Sequence, residues 1–224
     1  MVRFQKASEA NGKACLEDGV EGVMSLQFDS TDYWRRRYKR NWDSGAGSYG
    51  QLAKYKANFL NNFVRINKVS SVIELGCGDG AQLDLAEYPQ YVGVDISPVA
   101  LDMCRSSFFD DMTKCFISYN LLKSMPRQDL SLSLDVIFHL VEDGVFERYM
   151  ADLFASSNKF VIVYSSNRDE ICSAPHVRHR NFTPWIEHNL TEWSLIGYEP
   201  NVYPENPESP DQTSFADFFI YKKR

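Results

Sequence analysis

Apolar residues along this chain follow two spacings that alternate. Between residues 51 and 67, Leu52, Tyr55, Phe59, Leu60, Phe63, Val64 and Ile66 recur every three or four positions, which predicts an amphipathic helix. Short apolar runs then appear at 71–75, 91–95, 115–119, 130–137 and 160–164, each reading as a buried strand. Helical patterns lie between them at 80–87, 98–108 and 142–156, the second opened by Ser97 as cap and Pro98 in the first turn. Repeated strand-then-helix units imply a parallel sheet with crossover helices, an α/β doubly wound architecture. The end of the chain breaks the pattern. Residues 193–198 and 215–221 read as two strands with no helix between them, only a loop at 200–211 holding Pro200, Pro204, Pro207 and Pro210. An antiparallel C-terminal pair closing a seven-stranded, mostly parallel sheet is the expected ending.

Upstream of the alternation the chain is different. Thr31 or Asp32 is placed to cap a short helix carrying Tyr33, Trp34, Arg37 and Tyr38, and a glycine-rich stretch follows at 44–50. Residues 1–29 are weakly patterned. The expected organisation is a lead-in over 1–29, a helical lid over 30–68 and a core over 69–224.

A length of 224 residues suits one large domain, and 44% hydrophobic residues suit a packed core. The formal net charge is −6, and basic residues cluster only at 35–37, 178–180 and 222–224. A general nucleic-acid binder carries a broader basic footprint, so no nucleic-acid partner is expected. Cys15, Cys77, Cys104, Cys115 and Cys172 form no paired motif, which fits free thiols in a reducing, cytoplasmic setting. No apolar run approaches the ~20 residues that span a bilayer, and the first residues lack a secretory signal's apolar stretch.

The sharpest chemistry lies in VIELGCGDG at 72–80. Glycines 76, 78 and 80 allow a tight turn and close approach of a ligand to the backbone, and a helix start beyond them would offer free N–H groups. Ala81 also permits a dinucleotide-type reading. Glu74 argues against it, because a carboxylate at the strand tip repels a pyrophosphate and welcomes a cationic ammonium or sulfonium group. Asp95 ends the next strand and can accept both hydroxyls of a ribose; its bland alternative is a cap for the following helix.

VIELGCGDG followed by YVGVDIS resembles the first two motifs of the class I S-adenosylmethionine-dependent methyltransferases, with their Rossmann-like seven-stranded sheet. That resemblance implies S-adenosyl-L-methionine as cofactor, held by Glu74, Gly76, Gly78 and Asp95, with Asp95 on the ribose and Ile96 beside the adenine. It also puts Asn120, after the third strand, at the adenine edge.

Acceptor chemistry is expected at the carboxyl edge of the sheet. Asp135 and His139 follow the fourth strand; His139 suits a general base, and Asp135 an orienting or cofactor-holding group. His139 equally suits a packed histidine, and Asp135 a helix cap. Tyr164 ends the fifth strand, and APHVRHRNF at 174–182 supplies His176 as a second base candidate with Arg178, His179 and Arg180 as acceptor contacts, unless it is a solvated loop with ion pairs. Without nearby Cys or paired carboxylates, His176 and His179 are not read as metal ligands. In the lid, Tyr33, Trp34, Arg37 and Ser48 are candidates for covering the cofactor, with Arg37 on its carboxylate.

The strings YWRRRY…SGAGSYG, SLDVIFHLVEDGVFERYM and APHVRHRNFTPWI resemble a subgroup of these methyltransferases found beside, or fused to, glycosyltransferases in surface-glycan synthesis. This implies O-methylation of a sugar hydroxyl on a glycan or nucleotide sugar, rhamnose being one candidate. Alternatives are a small-metabolite or amine methyltransferase, a silent cofactor-fold binding module, and a dinucleotide-dependent oxidoreductase.

Overall fold

Asp29, not Thr31 or Asp32, begins the first helix: its Oδ1 accepts the Asp32 amide at 2.8 Å, and α1 runs Ser30–Lys39. The structure is a computed structural model that describes residues 28–40 and 42–224, so the lead-in expected over 1–29 falls outside it as far as residue 27. Helix α2 (Gly50–Ile66) buries Leu52, Ala53, Ala57, Leu60 and Val64 along one face, as its spacing predicts. Leu60 and Val64 join the same core as Leu130, Leu132 and Ile162 of the sheet. The lid expected over 30–68 therefore divides. Helix α2 is a layer of the fold, while α1 and the segment 44–48 border the cavity at the sheet's carboxyl edge.

Strands β1 (Val72–Leu75) and β2 (Tyr91–Asp95) come next, but the helix expected between them is absent. Leu83–Leu85 forms a single 3-10 turn, with the Ala86 amide bonded to Leu83, before the chain reaches Pro89. Too few residues separate the glycines from Pro89 for a helix to repay its nucleation. Helix α3 (Pro98–Ser107) starts as expected, with Ser97 Oγ accepting the Ala100 amide. Then follow β3 (Lys114–Ser118), β4 (Gln128–Leu134), α4 (Asp143–Ala155), β5 (Ser157–Ser165), α5 (Thr183–Asn189), β6 (Trp193–Glu199) and β7 (Asp217–Lys223). Strand β4 stops three residues short of its apolar run because Asp135 adopts φ +58°, which turns the chain out of the sheet.

The seven strands lie in the order β3-β2-β1-β4-β5-β7-β6. Neighbours are parallel as far as β5, whereas β7 runs antiparallel to both β5 and β6. Alternation along the strands feeds two cores: Ile162 and Tyr164 face α2, while Val161 and Val163 face Met150, Leu153 and Phe154 of α4. No helix among the described residues is long and apolar enough to cross a membrane. The connection order reverses between β1 and β4, which opens a crevice at their carboxyl ends.

Candidate active site

A cavity of about 290 Å³ occupies that crevice, walled by the ends of β1, β2 and β4, with α1 and the segment 44–48 beside it. Its shape starts with the glycine loop. Gly78 has φ +59°, and a Cβ there would come within 2.3 Å of Ser44 Oγ and 2.8 Å of the Tyr38 hydroxyl. The absent side chain lets the upstream segment close on the loop. Ser44 and Asp79 clasp it reciprocally: the Ser44 amide donates to Asp79 Oδ2 at 2.9 Å, and Ser44 Oγ accepts the Asp79 amide at 3.1 Å. The Tyr49 hydroxyl adds a second bond to the same carboxylate.

Asp95 lies beneath this loop. Its Oδ2 accepts the Gly78 amide at 3.0 Å and its Oδ1 the Ser97 amide at 2.8 Å, so both oxygens are fixed and each keeps acceptor capacity. Burial raises its pKa, and the backbone amides pull it back. Ile96 and Asn120 line the same end of the cavity, where Arg35 Nε donates to the Ile96 carbonyl. Glu74 is buried, accepts the Tyr91 hydroxyl at 2.7 Å, and is pushed up to about 7 by desolvation.

The opposite end is built by Asp135, held against Lys56 Nζ at 2.5 Å. Lys56 went unnoticed in the sequence, although it sits midway between Leu52 and Leu60 on the buried stripe of α2, where a charge is out of place. Gly47 packs so closely on this carboxylate that a Cβ would approach Asp135 Oδ2 to 2.8 Å. Gln82 also reaches the cavity; its Nε2 donates to the Ala53 carbonyl, and its Oε1 has no partner among the described residues.

His139 projects into the cavity from the turn after β4. Its Nδ1–H donates to the His176 carbonyl at 2.9 Å, which leaves the lone pair on Nε2. Desolvation lowers its pKa to about 4. The Trp34 ring meets it edge-on at 4.7 Å, while Tyr33 stacks on His176 at 4.9 Å and His176 on His139 at 5.6 Å. Burial and Arg37 also lower the His176 pKa.

Of the residues expected from the sequence, Trp34, Ser48, Glu74, Gly76, Asp95, Ile96, Asn120, Asp135 and His139 line this one cavity. Gly78 braces it through Asp95, and Tyr33 and His176 extend the aromatic side. Five others lie elsewhere. Arg37 donates from Nε to the Asp43 carbonyl and pairs with its carboxylate, between the Trp34 and Trp42 rings. Tyr164 is buried under α2, its hydroxyl accepting from Asn201. His179 is buried against Ser166 and Phe215. Arg178 donates to the Val141 carbonyl and pairs with Asp143, as does Arg180, so the two arginines pin the 174–182 loop to the start of α4. Ion pairing and carbonyl capping consume these cations. Residues overlooked in the sequence, Arg35, Lys56, Gln82 and Arg148, also line the cavity.

No protein-family model matches the chain, and no curated protein matches it in sequence. Solved structures do match in shape. Magnesium protoporphyrin IX methyltransferase from Synechocystis PCC 6803, with S-adenosylmethionine bound, aligns over 90% of this chain and 100% of its own at 13% identity and a TM-score of 0.65. An N-methyltransferase from Bradyrhizobium japonicum WM9, with S-adenosyl-L-homocysteine bound, aligns over 87% and 99% at 15% identity and a TM-score of 0.67. A small RNA methyltransferase aligns over 79% of this chain and 26% of its own at 18% identity and a TM-score of 0.59. Strand order, crevice and these superpositions agree: the chain has the fold of the S-adenosylmethionine-dependent methyltransferases.

Proposed function

We propose that this protein is an S-adenosylmethionine-dependent O-methyltransferase that acts on a sugar hydroxyl of a glycan or nucleotide sugar, with rhamnose a candidate, and that it works beside glycosyltransferases in the cytoplasm. The observation that carries the cofactor reading is Asp95, fixed by two backbone amides at the wall of a cavity at the switch point of the sheet. The donor set fits the cofactor. Asp95 has free acceptor capacity for a ribose diol, Ile96 and Asn120 adjoin it for the base, and Glu74, Asp135 and Gln82 Oε1, which has no partner among the described residues, suit a cationic sulfonium and ammonium. Two solved neighbours of the same fold hold S-adenosylmethionine or S-adenosyl-L-homocysteine.

When bound, the cofactor supplies an electrophilic methyl group on a positively charged sulfur. The protein's part is alignment, worth ~7–11 kcal/mol in well-oriented cases, and removal of the acceptor's proton. His139 would take that proton at Nε2, the nitrogen its bond to the His176 carbonyl leaves free. Desolvation keeps the imidazole neutral at physiological pH, so Nε2 carries a free lone pair, though the lowered pKa also makes it a weaker base. Trp34 lines the cavity beside it, an aromatic surface that suits the apolar face of a sugar ring, while Tyr33 and His176 stack behind. The solved neighbours act on a porphyrin in one case and a small RNA in another by their own descriptions, so the acceptor reading rests on this aromatic base site and on the sequence resemblance.

The test is methyl transfer from labelled S-adenosylmethionine to a panel of nucleotide sugars, rhamnose-terminated oligosaccharides, small amines and RNA, followed by mass spectrometry for one added methylene. Sugar methylation that collapses in His139→Gln supports the reading. Transfer to amine or RNA alone overturns the acceptor class, and transfer to nothing despite tight cofactor binding favours a silent module.

A further inference from the structure

The sheet has two edges, β3 and β6, and they are finished differently. An edge strand leaves a row of backbone N–H and C=O groups unpaired, and chains blunt such rows with lysine, proline or a covering element. Strand β3 carries Lys114 and runs at once into the turn Tyr119–Ser124. Strand β6, WSLIGYE, holds no lysine and no proline, and its one charged residue is Glu199 at the end. Its inner side pairs with β7, and no strand among the described residues pairs with its outer side. Along that open row stand exposed apolar side chains: Leu195, Ile196 at 53%, Tyr198 at 54%, and Val202 just beyond the strand. Apolar residues exposed singly need no explanation, whereas a run of them beside an unpaired edge does.

The charge along this edge selects its occupant. Lys223 and Lys222 pair with Trp193 and Ser194 at the start of β6, and Arg224 Nε donates to Ser194 Oγ at 2.8 Å, so three cations stand there against Glu192. The other end is acidic: Glu199 closes the strand, and Asp217 lies beside it, accepting the Tyr198 hydroxyl at 2.8 Å. A strand basic at one end and acidic at the other is complementary to itself run backwards. Antiparallel pairing of two copies sets each basic end against an acidic one, whereas parallel pairing sets like against like. The apolar side chains follow the same logic. Leu195 pairs with Tyr221 and Tyr198 with Phe219, and those partners are two positions apart, so the bulge between Leu195 and Gly197 leaves Leu195 and Tyr198 on one face.

We propose that the outer edge of β6 is a self-association surface, on which a second copy of this chain lays its own β6 antiparallel, so that two sheets become one continuous sheet. Backbone hydrogen bonds along the edge, apolar contact between the Leu195 and Tyr198 faces, and attraction between unlike ends hold the two copies. A two-fold axis produces this arrangement and closes it at two chains. No residue of β6 borders the cavity, so the surface is separate from the candidate active site and does not rest on the cofactor reading.

Sedimentation equilibrium on the whole chain, from about 1 to about 100 µM, reads the assembly directly. The expected mass is twice the 25.8 kDa of one chain at the upper concentrations. Ile196→Lys and Leu195→Lys each put a charge on the open edge and should weaken the dimer by roughly 10-fold or more, with circular dichroism unchanged. Glu199→Lys should weaken it as well, and Glu199→Lys combined with Arg224→Glu should recover part of that loss, which a non-specific apolar contact would not do. A mass of one chain at every concentration overturns the proposal. So does a dimer that none of these variants weakens, or a mass that climbs without limit as an open-ended contact would give. Should the lysine variants fail to fold, the Glu199 and Arg224 exchange alone decides, and absence of any recovery counts against the antiparallel pairing.

Discussion

The Nδ1–H of His139 donates to the carbonyl of His176 at 2.9 Å, joining the turn after β4 to the loop after β5 across 37 positions of sequence. One imidazole is thus held in a single tautomer by a backbone group of a different loop, with Trp34 edge-on and His176 stacked beside it. A ring so held has its free nitrogen fixed before any ligand arrives.

Replacing His139 by Gln should lower kcat by about 10²–10⁴-fold with little change in affinity for S-adenosyl-L-homocysteine. With the wild-type pKa near 4, kcat/KM should stay level from neutral pH down to mildly acidic pH and fall only as pH approaches 4, where the ring takes up a proton. A steep acid limb near pH 6.5 would show that His139 is not the titrating base.

Stability should respond to pH through two opposed groups. Glu74 is raised from 4.5 to about 7, so the folded state holds its proton in that window and loses on the order of 3 kcal/mol of stability as pH rises through it. His139 is lowered from 6.5 to about 4, so the unfolded state takes the extra proton, and stability is lost as pH falls through that window. The two slopes offset each other between pH 4.5 and 6.5. Glu74→Gln should remove the first and leave a melting temperature that climbs more steeply with pH than in the wild type, measured by calorimetry.

Gly78→Ala places a methyl group 2.3 Å from Ser44 Oγ at a backbone angle of φ +59°. Strain and loss of the Ser44–Asp79 clasp should cost about 1–3 kcal/mol, a drop in Tm of roughly 3–10 °C. Binding of S-adenosyl-L-homocysteine should weaken as well, because Asp95 is fixed by the same amide.

Arg180→Ala tests the 174–182 loop apart from the cofactor. Arg180 donates to the Leu140 and Val141 carbonyls and pairs with Asp143. Its loss should destabilise by about 1–3 kcal/mol and lower kcat by loosening His176 and with it His139, while calorimetric affinity for S-adenosyl-L-homocysteine stays as it was. An equal drop in both would mean that the loop also shapes the cofactor end.

Most of the strands were legible because each is a short apolar run closed by polar or turn residues, too short for a helix that could nucleate. Helix 80–87 was misjudged because periodicity over so short a segment does not reveal whether a helix can nucleate; the chain to Pro89 takes a 3-10 turn instead. The end of β4 was placed too late because Val136 and Ile137 carry the apolar character on past Asp135, whereas the positive φ that turns the chain at Asp135 is a backbone event that composition does not show. Arg37, Arg178 and His179 were candidates because of residue type and their place in the lid and in the loop after the fifth strand. Pairing with Asp43 and Asp143, or burial against Ser166, depends on neighbours that only folding brings.

The sequence by itself determined the layered α/β architecture, the glycine loop at β1 and the acids Glu74 and Asp95, because spacing and local chemistry carry those signals along the chain. Only the tertiary structure decided which charges remain available to a ligand. Lys56 and Asp135 stand 79 residues apart in the chain and meet because α2 packs over the end of β4, while arginines that look free in the sequence find carboxylates and carbonyls in the fold. Desolvation and pairing are properties of the enclosed volume, and no single stretch of sequence contains them.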